Sequence, residues 1–420
     1  MEYNCLSLNQ IADNITEKIS IDDISTLNYI STENMIVNKA GVEEASKLPN
    51  TKKVNFYRKK DILVSNIRPY FKKIWQADND GGASADVLIY RANQNYIDEE
   101  YLYYFLSQDS FFDFMVQTSK GTKMPRGDKN AISNYKVSFP KNIVYQRKVA
   151  SIGRTIDEKI KLNKKTIANL EELSQALFKR WFVDFEFPDE DGNPYHIHEG
   201  KMIQSELGEI PEGWSVGKID QIGTITGGGT PSKKVAEYYT NKGISWITPK
   251  DLSIDKSRFI YKGQNDITEL GLKKSSAKLL PEHAVLFSSR APIGYIAIAG
   301  QQVTTNQGFK SIVPDKGFGP YYIYFLLKHK LPSIEQAASG STFKEISGKG
   351  LKNIIIPLPN KNLVRNFNEI VKVYFDEIKN LELESLYLTE LRDTLLPKLM
   401  SGEIELPDEL EVDEHAELLQ

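Results

Sequence analysis

Two tandem α/β (α+β) globules, each followed by a long amphipathic helix, are what this sequence predicts, and three observations predict it. The chain repeats itself about 219 residues apart. Each repeat mixes short β-branched runs with an aromatic helical segment and glycine turns. Each also ends in an apolar stripe at helical spacing about 40 residues long. YLYYFL from Tyr101 pairs with YYIYFL from Tyr321, and KG…AISNYKVSFP pairs with SG…GLKNIIIPLP. Gly121 thereby matches Gly340, Asn134 matches Asn353 and Pro140 matches Pro359. Upstream, ILVSNIRP (Ile62 to Pro69) resembles AVLFSSRAP (Ala284 to Pro292); downstream, Asn169 to Lys179 matches Tyr387 to Lys398. A period this long exceeds a solenoid unit and reads as a duplicated domain plus connector.

Taken in order, residues 1–142 form the first globule, with strand-like VLIY at Val87 and YKVSF at Tyr135 and an aromatic helix from Glu99 to Phe114. Over 143–183, Val149, Ile152, Ile156, Ile160, Ile167, Leu170, Leu173, Leu177 and Trp181 recur mostly at steps of three and four. That stripe predicts a central helix about 60 Å long. Residues 184–212, with Pro188, Gly192, Pro194, Gly200, Gly208 and Pro211, read as an extended connector. A second globule covers 213–361. A second rod covers 362–402, with Leu363, Phe367, Ile370, Tyr374, Ile378, Leu381, Leu388, Leu391 and Leu395 on its stripe, fading at Pro397 and Gly402. An acidic tail, 403–420, closes the chain.

An amphipathic rod must bury its stripe, and the natural partner is its own duplicate. The two helices are expected to run antiparallel as a coiled-coil spacer, with the globules at its ends related by a pseudo-twofold axis. The alternative is that one or both rods are ordinary helices of a globular core.

The 420 residues suffice for two to four domains. The single cysteine, Cys5, rules out an internal disulfide framework, and MEYNCLSLNQ lacks the basic-then-apolar pattern of a signal segment. The sequon Asn14-Ile15-Thr16 is then silent, no run is long enough to span a membrane, and a cytoplasmic protein is expected. The net charge of −3 hides an uneven distribution. The tail holds Glu403, Glu405, Asp408, Glu409, Glu411, Asp413, Glu414 and Glu417 with no Lys or Arg, and Asp184 to Glu212 is acidic apart from Lys201. The rest of the chain is therefore basic.

Catalytic constellations are scarce. The run Gly227 to Ser232 (GGGTPS) is glycine-rich but lacks the lysine of a phosphate-binding loop, and no nucleophile elbow occurs. In the connector, Pro188-Asp189 with Glu199-Gly200-Lys201 imitates a metal-nuclease pattern, but on turn-like sequence rather than adjacent strands. Asn193-Pro194-Tyr195 imitates a methyltransferase loop without the glycine-rich unit that should accompany it, and His196 with His198 lacks further metal ligands. Cations interleaved with aromatics and glycine remain. In the first half these are Arg68, Lys72 and Lys73 beside Tyr70, then Lys120, Lys123, Arg126 and Lys129. In the second they are Lys233, Lys234, Lys250 and Arg258, then Arg290, Lys344, Lys349 and Lys352, with Thr230 and Ser232 on the glycine loop. Loop cations neutralise phosphates, and a minority reach base edges. The two sets are expected to recur at matched positions, Lys120 to Lys129 against Lys344 to Lys352.

GEIPEGW (Gly208 to Trp214), GGTPS (Gly228 to Ser232), ISWITPKDL (Ile244 to Leu252), LFKRWFVDFEFP (Leu177 to Pro188) and LRDTLLPKLMSGEI (Leu391 to Ile404) together resemble the specificity (S) subunit of Type I restriction–modification systems. The resemblance covers nearly the whole chain. It implies a non-catalytic DNA-recognition subunit with two target-recognition domains, each reading half of a bipartite, interrupted double-stranded site. It also implies a helical spacer that sets the gap and docks two methyltransferase subunits, with two restriction–translocase subunits completing the complex. S-adenosylmethionine, ATP and Mg²⁺ are then bound by partners and none by this chain. The competing readings are a stand-alone Mg-dependent nuclease and a protein-only coiled-coil adaptor.

Overall fold

The computed structural model describes residues 1–340 and 344–407, so the acidic tail from residue 408 onward lies outside the described residues. Two compact units emerge: residues 1–161 with the described residues from 386 onward, and residues 162–385. Both unit boundaries fall inside long helices, Ile143–Phe182 and Lys361–Ser401.

In the first unit, a four-stranded antiparallel sheet runs in the order Ala12–Asn14, Val87–Ala92, Ile62–Ser65, Ile74–Gln76. A second four-stranded sheet orders Lys18–Ser20, Lys53–Tyr57, Gly81–Ala83 and Tyr29–Ile30, its last pair parallel. Tyr3–Ser7 pairs antiparallel with Lys136–Pro140, Tyr3 opposite Pro140. Ile62, Leu63 and Val64 are buried on both faces, which is why this strand reads as a continuous apolar run. Asp98 caps the Glu99–Leu106 helix by accepting from the Glu100 and Tyr101 N–H groups. That helix delivers Tyr101 and Tyr104 to a core shared with Val149 of the first long helix and Leu396, Leu399 and Met400 of the second.

The second unit repeats the plan. Its larger sheet orders Thr224–Gly227, Lys310–Val313, Val285–Ser289, Ile293–Ala299 and Phe259–Ile260. Its smaller sheet orders Tyr239–Thr240, Asn265–Ile267, Ile244–Ile247 and Thr304–Thr305, again with the last pair parallel. Ser215–Lys218 pairs with Ile355–Leu358, as Tyr3–Ser7 does with Lys136–Pro140. Phe182 packs edge-on against Phe367 and Tyr322, with centroids 5.1 and 4.9 Å away, so the long helices are part of the core of this unit.

Within each unit the long helices run antiparallel. Asn163 lies against Glu384 while Phe178 lies against Phe367; in the first unit Tyr145 bonds the Leu399 carbonyl while Asp157 bonds Arg392. The fold class is therefore the expected one.

The details of the apolar stripe differ. Leu173, Ile370 and Leu391, expected on the spacer seam, are 51%, 39% and 48% exposed. At about 100° per residue, Leu173 and Leu391 point well away from their buried neighbours Ile167 and Leu396. Ile370 sits on the far side of Phe367 from Val371, and Val364, Val371 and Phe375 take the inner face instead. Ile156, Ile160, Ile167, Phe367, Ile378 and Leu381 are buried, and Ile152, Leu170, Leu177, Tyr374, Leu388 and Leu395 are half-buried. The second helix also continues through Pro397 to Ser401, where Gly402 at φ +77° ends it.

Residues 184–212, expected to be an extended connector, fold back on themselves. Met202–Ser205 and Gly208–Pro211 form a hairpin, and Phe187 stacks between Tyr195 and Trp214, at 4.6 and 5.6 Å. Phe187 and Tyr195 in this turn-rich stretch, with Trp214 just after it, have apolar area to bury, and that closes the segment.

Candidate nucleic-acid interface

In the first unit, three loops meet beside the Ile62–Ser65 strand. Asn66 N–H donates to the Asp86 carbonyl at 2.9 Å, and Gly127 N–H donates to the Asn66 carbonyl at 3.1 Å. Arg68 N–H donates to the Pro125 carbonyl at 2.8 Å, and Lys120 and Arg126 exchange two backbone bonds of 2.9 Å. A Cβ on Gly127 would lie 2.7 Å from Asn66 Oδ1 and 2.8 Å from Ile132 Cδ1, so in this unit those two side chains close over the glycine.

The second unit builds the same frame. Ser289 N–H donates to the Gly308 carbonyl at 2.7 Å, Ile346 N–H to the Ser289 carbonyl at 3.0 Å, and Ser339 and Glu345 exchange two backbone bonds of 3.1 and 2.9 Å. Asn66, Asp86 and Gly127 thus correspond to Ser289, Gly308 and Ile346. Asp128 and Ser347 then cap equivalent short helices, Lys129–Ser133 and Gly348–Lys352.

Several candidate cations, among them Arg68, Lys120, Arg126 and Arg290, stand on the loops of these frames. Arg68 and Lys72 adopt left-handed backbone at φ +51° and +50° around the exposed Tyr70. Arg68 Nε is buried without a hydrogen-bond partner. Lys72 pairs with Asp109 at 2.8 Å. Burial alone would raise the Asp109 carboxyl, but Lys72 and Lys39 overcome it and hold the group below the usual carboxylate range. Lys73 donates to the Thr32 carbonyl at 2.6 Å, and burial lowers its ammonium. Lys120 pairs with Asp128, Arg126 with Asp86, and Lys123 and Lys129 are exposed. The bond from Lys120 holds the Asp128 carboxyl low.

In the second unit, the Thr230 hydroxyl bonds Gln307, Arg290 pairs with Glu345 at 3.4 Å, and Lys250 donates to Gln264 at 3.2 Å. Ser232, Lys233, Lys344, Lys349 and Lys352 are exposed. The glycines of GGGTPS serve close packing: a Cβ on Gly228 would fall 2.0 Å from the Asn306 carbonyl oxygen, and one on Gly229 2.2 Å from the Ala277 nitrogen.

Two expectations change. Arg258 is not a rim cation: its guanidinium is taken up by the buried carboxylate of Glu171, which also accepts from Tyr324 and Lys328. The charges are also not matched between the halves. The frame aligns Lys120 with Ser339, Arg126 with Glu345 and Lys129 with Gly348, so what recurs is the backbone, because backbone hydrogen bonds hold the frame whatever the tips carry. Sequence reading missed Asp86, Gln307, Lys310 and Glu345, which no motif marks; only the meeting of the loops brings them to the rim.

The connector motifs are local structure. Asp189 Oδ1 accepts from the Asp191 and Asn193 N–H groups, Lys201 pairs with Glu212, and Glu199 turns the chain at φ +60°. Tyr195 of Asn193-Pro194-Tyr195 donates to the Lys201 carbonyl at 2.8 Å, and His196 and His198 are exposed. No group of three His, Cys, Asp or Glu suited to a metal occurs among the described residues, and none of their helices is long and apolar enough to cross a membrane.

A tandem pair of α+β units, each with one three-loop frame that carries cations and each packed on segments of two long helices, defines a duplicated two-unit protein. The family model described as Type I restriction modification DNA specificity domain matches residues 10–172 and again 211–386. The chain belongs to this family. It is 38% identical over 195 residues to the Type I restriction enzyme MjaIX specificity subunit of Methanocaldococcus jannaschii, covering 46% of this chain and 45% of that protein. The chain thus aligns with less than half the length of that relative. It is 26% identical over 459 residues to the Type I restriction enzyme HindI specificity subunit of Haemophilus influenzae, covering 95% of this chain and 98% of that one. The crystal structure of the Type I restriction–modification system S subunit from M. genitalium shares its fold, with a TM-score of 0.54 at 15% identity over 95% of this chain and 96% of that one.

Proposed function

We propose that this chain is the DNA-specificity subunit of a Type I restriction–modification complex. Each unit reads one half of a bipartite, interrupted site in double-stranded DNA, and the paired long helices set the gap and dock methyltransferase subunits. Two methyltransferase subunits and two ATP-dependent restriction–translocase subunits complete the assembly in the cytoplasm. The partners hold S-adenosylmethionine, ATP and Mg²⁺, and this chain contributes recognition without chemistry.

The observation that carries the reading is duplication with divergence: one backbone frame, built twice in a chain that its family model matches twice, bears different side chains at its loop tips. Two identical readers would give a symmetric site, whereas two different ones on one frame suit two different half-sites. Exposed lysines such as Lys123, Lys129, Lys349 and Lys352 supply phosphate neutralisation, and linking two modest readers raises the affinity of each by effective concentration. The test is methylation mapping of DNA exposed to this chain co-expressed with methyltransferase subunits. The expected result is a split motif of fixed gap, with exchange of residues 1–142 for those of a relative changing one half only. A continuous motif, or none, overturns the reading.

A further inference from the structure

At the junction of the three loops, each unit sets one arginine against one carboxylate of a neighbouring loop. Arg126 Nη2 lies 3.3 Å from Asp86, and Arg290 Nη1 lies 3.4 Å from Glu345. The pairs are not copies of each other. Glu345 occupies the frame position of Arg126, so in the first unit the arginine stands on the 120–126 loop and in the second on the loop after Val285–Ser289. The arginine has changed loops, yet both units keep a guanidinium braced by an acid at this corner.

Stability does not account for that. The side chains of Arg126 and Arg290 are 58% and 37% exposed, those of Asp86 and Glu345 38% and 37%, and ion pairs this open add little to folding. What the acid can do is favour one orientation of the arginine while engaging one terminal nitrogen, Glu345 being shared with Lys310 at 3.7 Å. The guanidinium is a planar fork, and guanine presents O6 and N7 in the major groove at a spacing that fork matches. Bracing it on a loop fixed by backbone hydrogen bonds removes rotamer entropy before DNA arrives. Lys72 and Lys73, by contrast, are drawn back onto Asp109 and Thr32.

We propose that Arg126 and Arg290 are guanine-reading residues, one for each half of the site, and that Asp86 and Glu345 are the positioning residues that aim them. This rests on each unit being a half-site reader.

The experiment uses the full chain assembled with methyltransferase subunits, carrying Arg126→Gln, Arg290→Gln, Asp86→Asn or Glu345→Gln. Binding is measured to duplexes in which every base pair of the mapped site is varied in turn, with the melting temperature of each variant recorded alongside. Arg126→Gln is expected to reduce discrimination for a G·C pair at one position of one half by about ten- to a hundredfold, since glutamine suits adenine, and to leave the other half unchanged. Arg290→Gln does the same in the other half, and Asp86→Asn and Glu345→Gln relax the same two positions more weakly. Equal weakening on every sequence marks a phosphate contact and overturns the assignment, as does unchanged discrimination. Weaker base discrimination accompanied by a lowered melting temperature and spread over all positions also overturns it. A wild-type complex with no split site sinks the half-site reading itself, whereas a split site with intact discrimination in both Arg→Gln variants sinks only the guanine assignment.

Discussion

Replacing Glu171 by alanine tests whether the long helices are structural members of the recognition unit. The carboxylate accepts from Arg258 Nε, Tyr324 Oη and Lys328 Nζ, each at 2.7 Å, while its side chain is 11% exposed. Burial works to raise its pKa, but Lys328 and Arg258 overcome that and hold it below the usual carboxylate range. Alanine leaves Arg258 and Lys328 facing each other without an anion and strands the Tyr324 hydroxyl, itself buried. Breaking a buried pair from one side costs about 3–5 kcal/mol. Arg258 and Lys328 keep partial access to water, 24% and 34% exposed, which places the expected loss near the lower end, about 3 kcal/mol. For a unit of this size that lowers its melting temperature by about 6–12 °C. Scanning calorimetry of the purified chain reads it, with the neighbouring exposed Glu172→Ala as a control within about 0.5 kcal/mol of wild type. Because the folded pKa is lowered, this contribution is present above the ordinary carboxylate value of 4.5 and is lost as pH falls through the folded value. A Glu171→Ala melting temperature within a degree of wild type would refute the argument.

Glu382 should show the opposite pH dependence. Burial pushes its carboxyl up to about 7 even though it accepts the Arg258 and Phe259 N–H groups. With the folded value above the ordinary 4.5, its stabilisation is full below about 4.5 and disappears as pH rises through about 7. Urea midpoints at pH 5 to 8 should therefore fall more for wild type than for Glu382→Gln, and parallel curves would contradict this. Gly153→Ala should destabilise the first unit by about 1–3 kcal/mol although alanine favours helices, since its Cβ would lie 2.7 Å from the ring of Tyr104, held by a 2.9 Å bond to Asp157. A raised melting temperature would show that the ring gives way.

Much of the architecture was legible because it rests on patterns that survive without coordinates. The repeat aligned Asn134 with Asn353, and the structure gives both the same role, each amide donating at 2.9 Å to the carbonyl four residues back. The stripes of the rods announced two long helices. Their inner faces were harder to assign because three- and four-residue steps are both helical neighbours: Ile370 and Val371 are equally good successors to Phe367, yet Val371 enters the core and Ile370 stays exposed. The seam also contains polar residues that periodicity cannot flag. Asn163 is 1% exposed, and its amide donates to Glu384 and Ser385.

The candidate interface was legible in composition and not in pairing. The cations at Lys120, Arg126 and Arg290 stand out in the sequence, but Arg258 looks the same there and is withdrawn onto Glu171. A charge has no local signature of its partner, since ion pairs form between residues distant along the chain. Arg126 and Asp86 are 40 residues apart, and Arg290 and Glu345 are 55 apart.

By itself the sequence determined the duplicated plan, the two long helices and the family, because periodicity, repeats and local segments are properties of neighbouring residues. Only the tertiary structure decided which cations stay on the rim, which stripe positions face inward, and that one backbone frame carries its arginine on different loops in the two units. Those outcomes depend on which distant segments meet. Loop meeting is set by backbone hydrogen bonds and core packing, which leave the side chains at the tips free to differ.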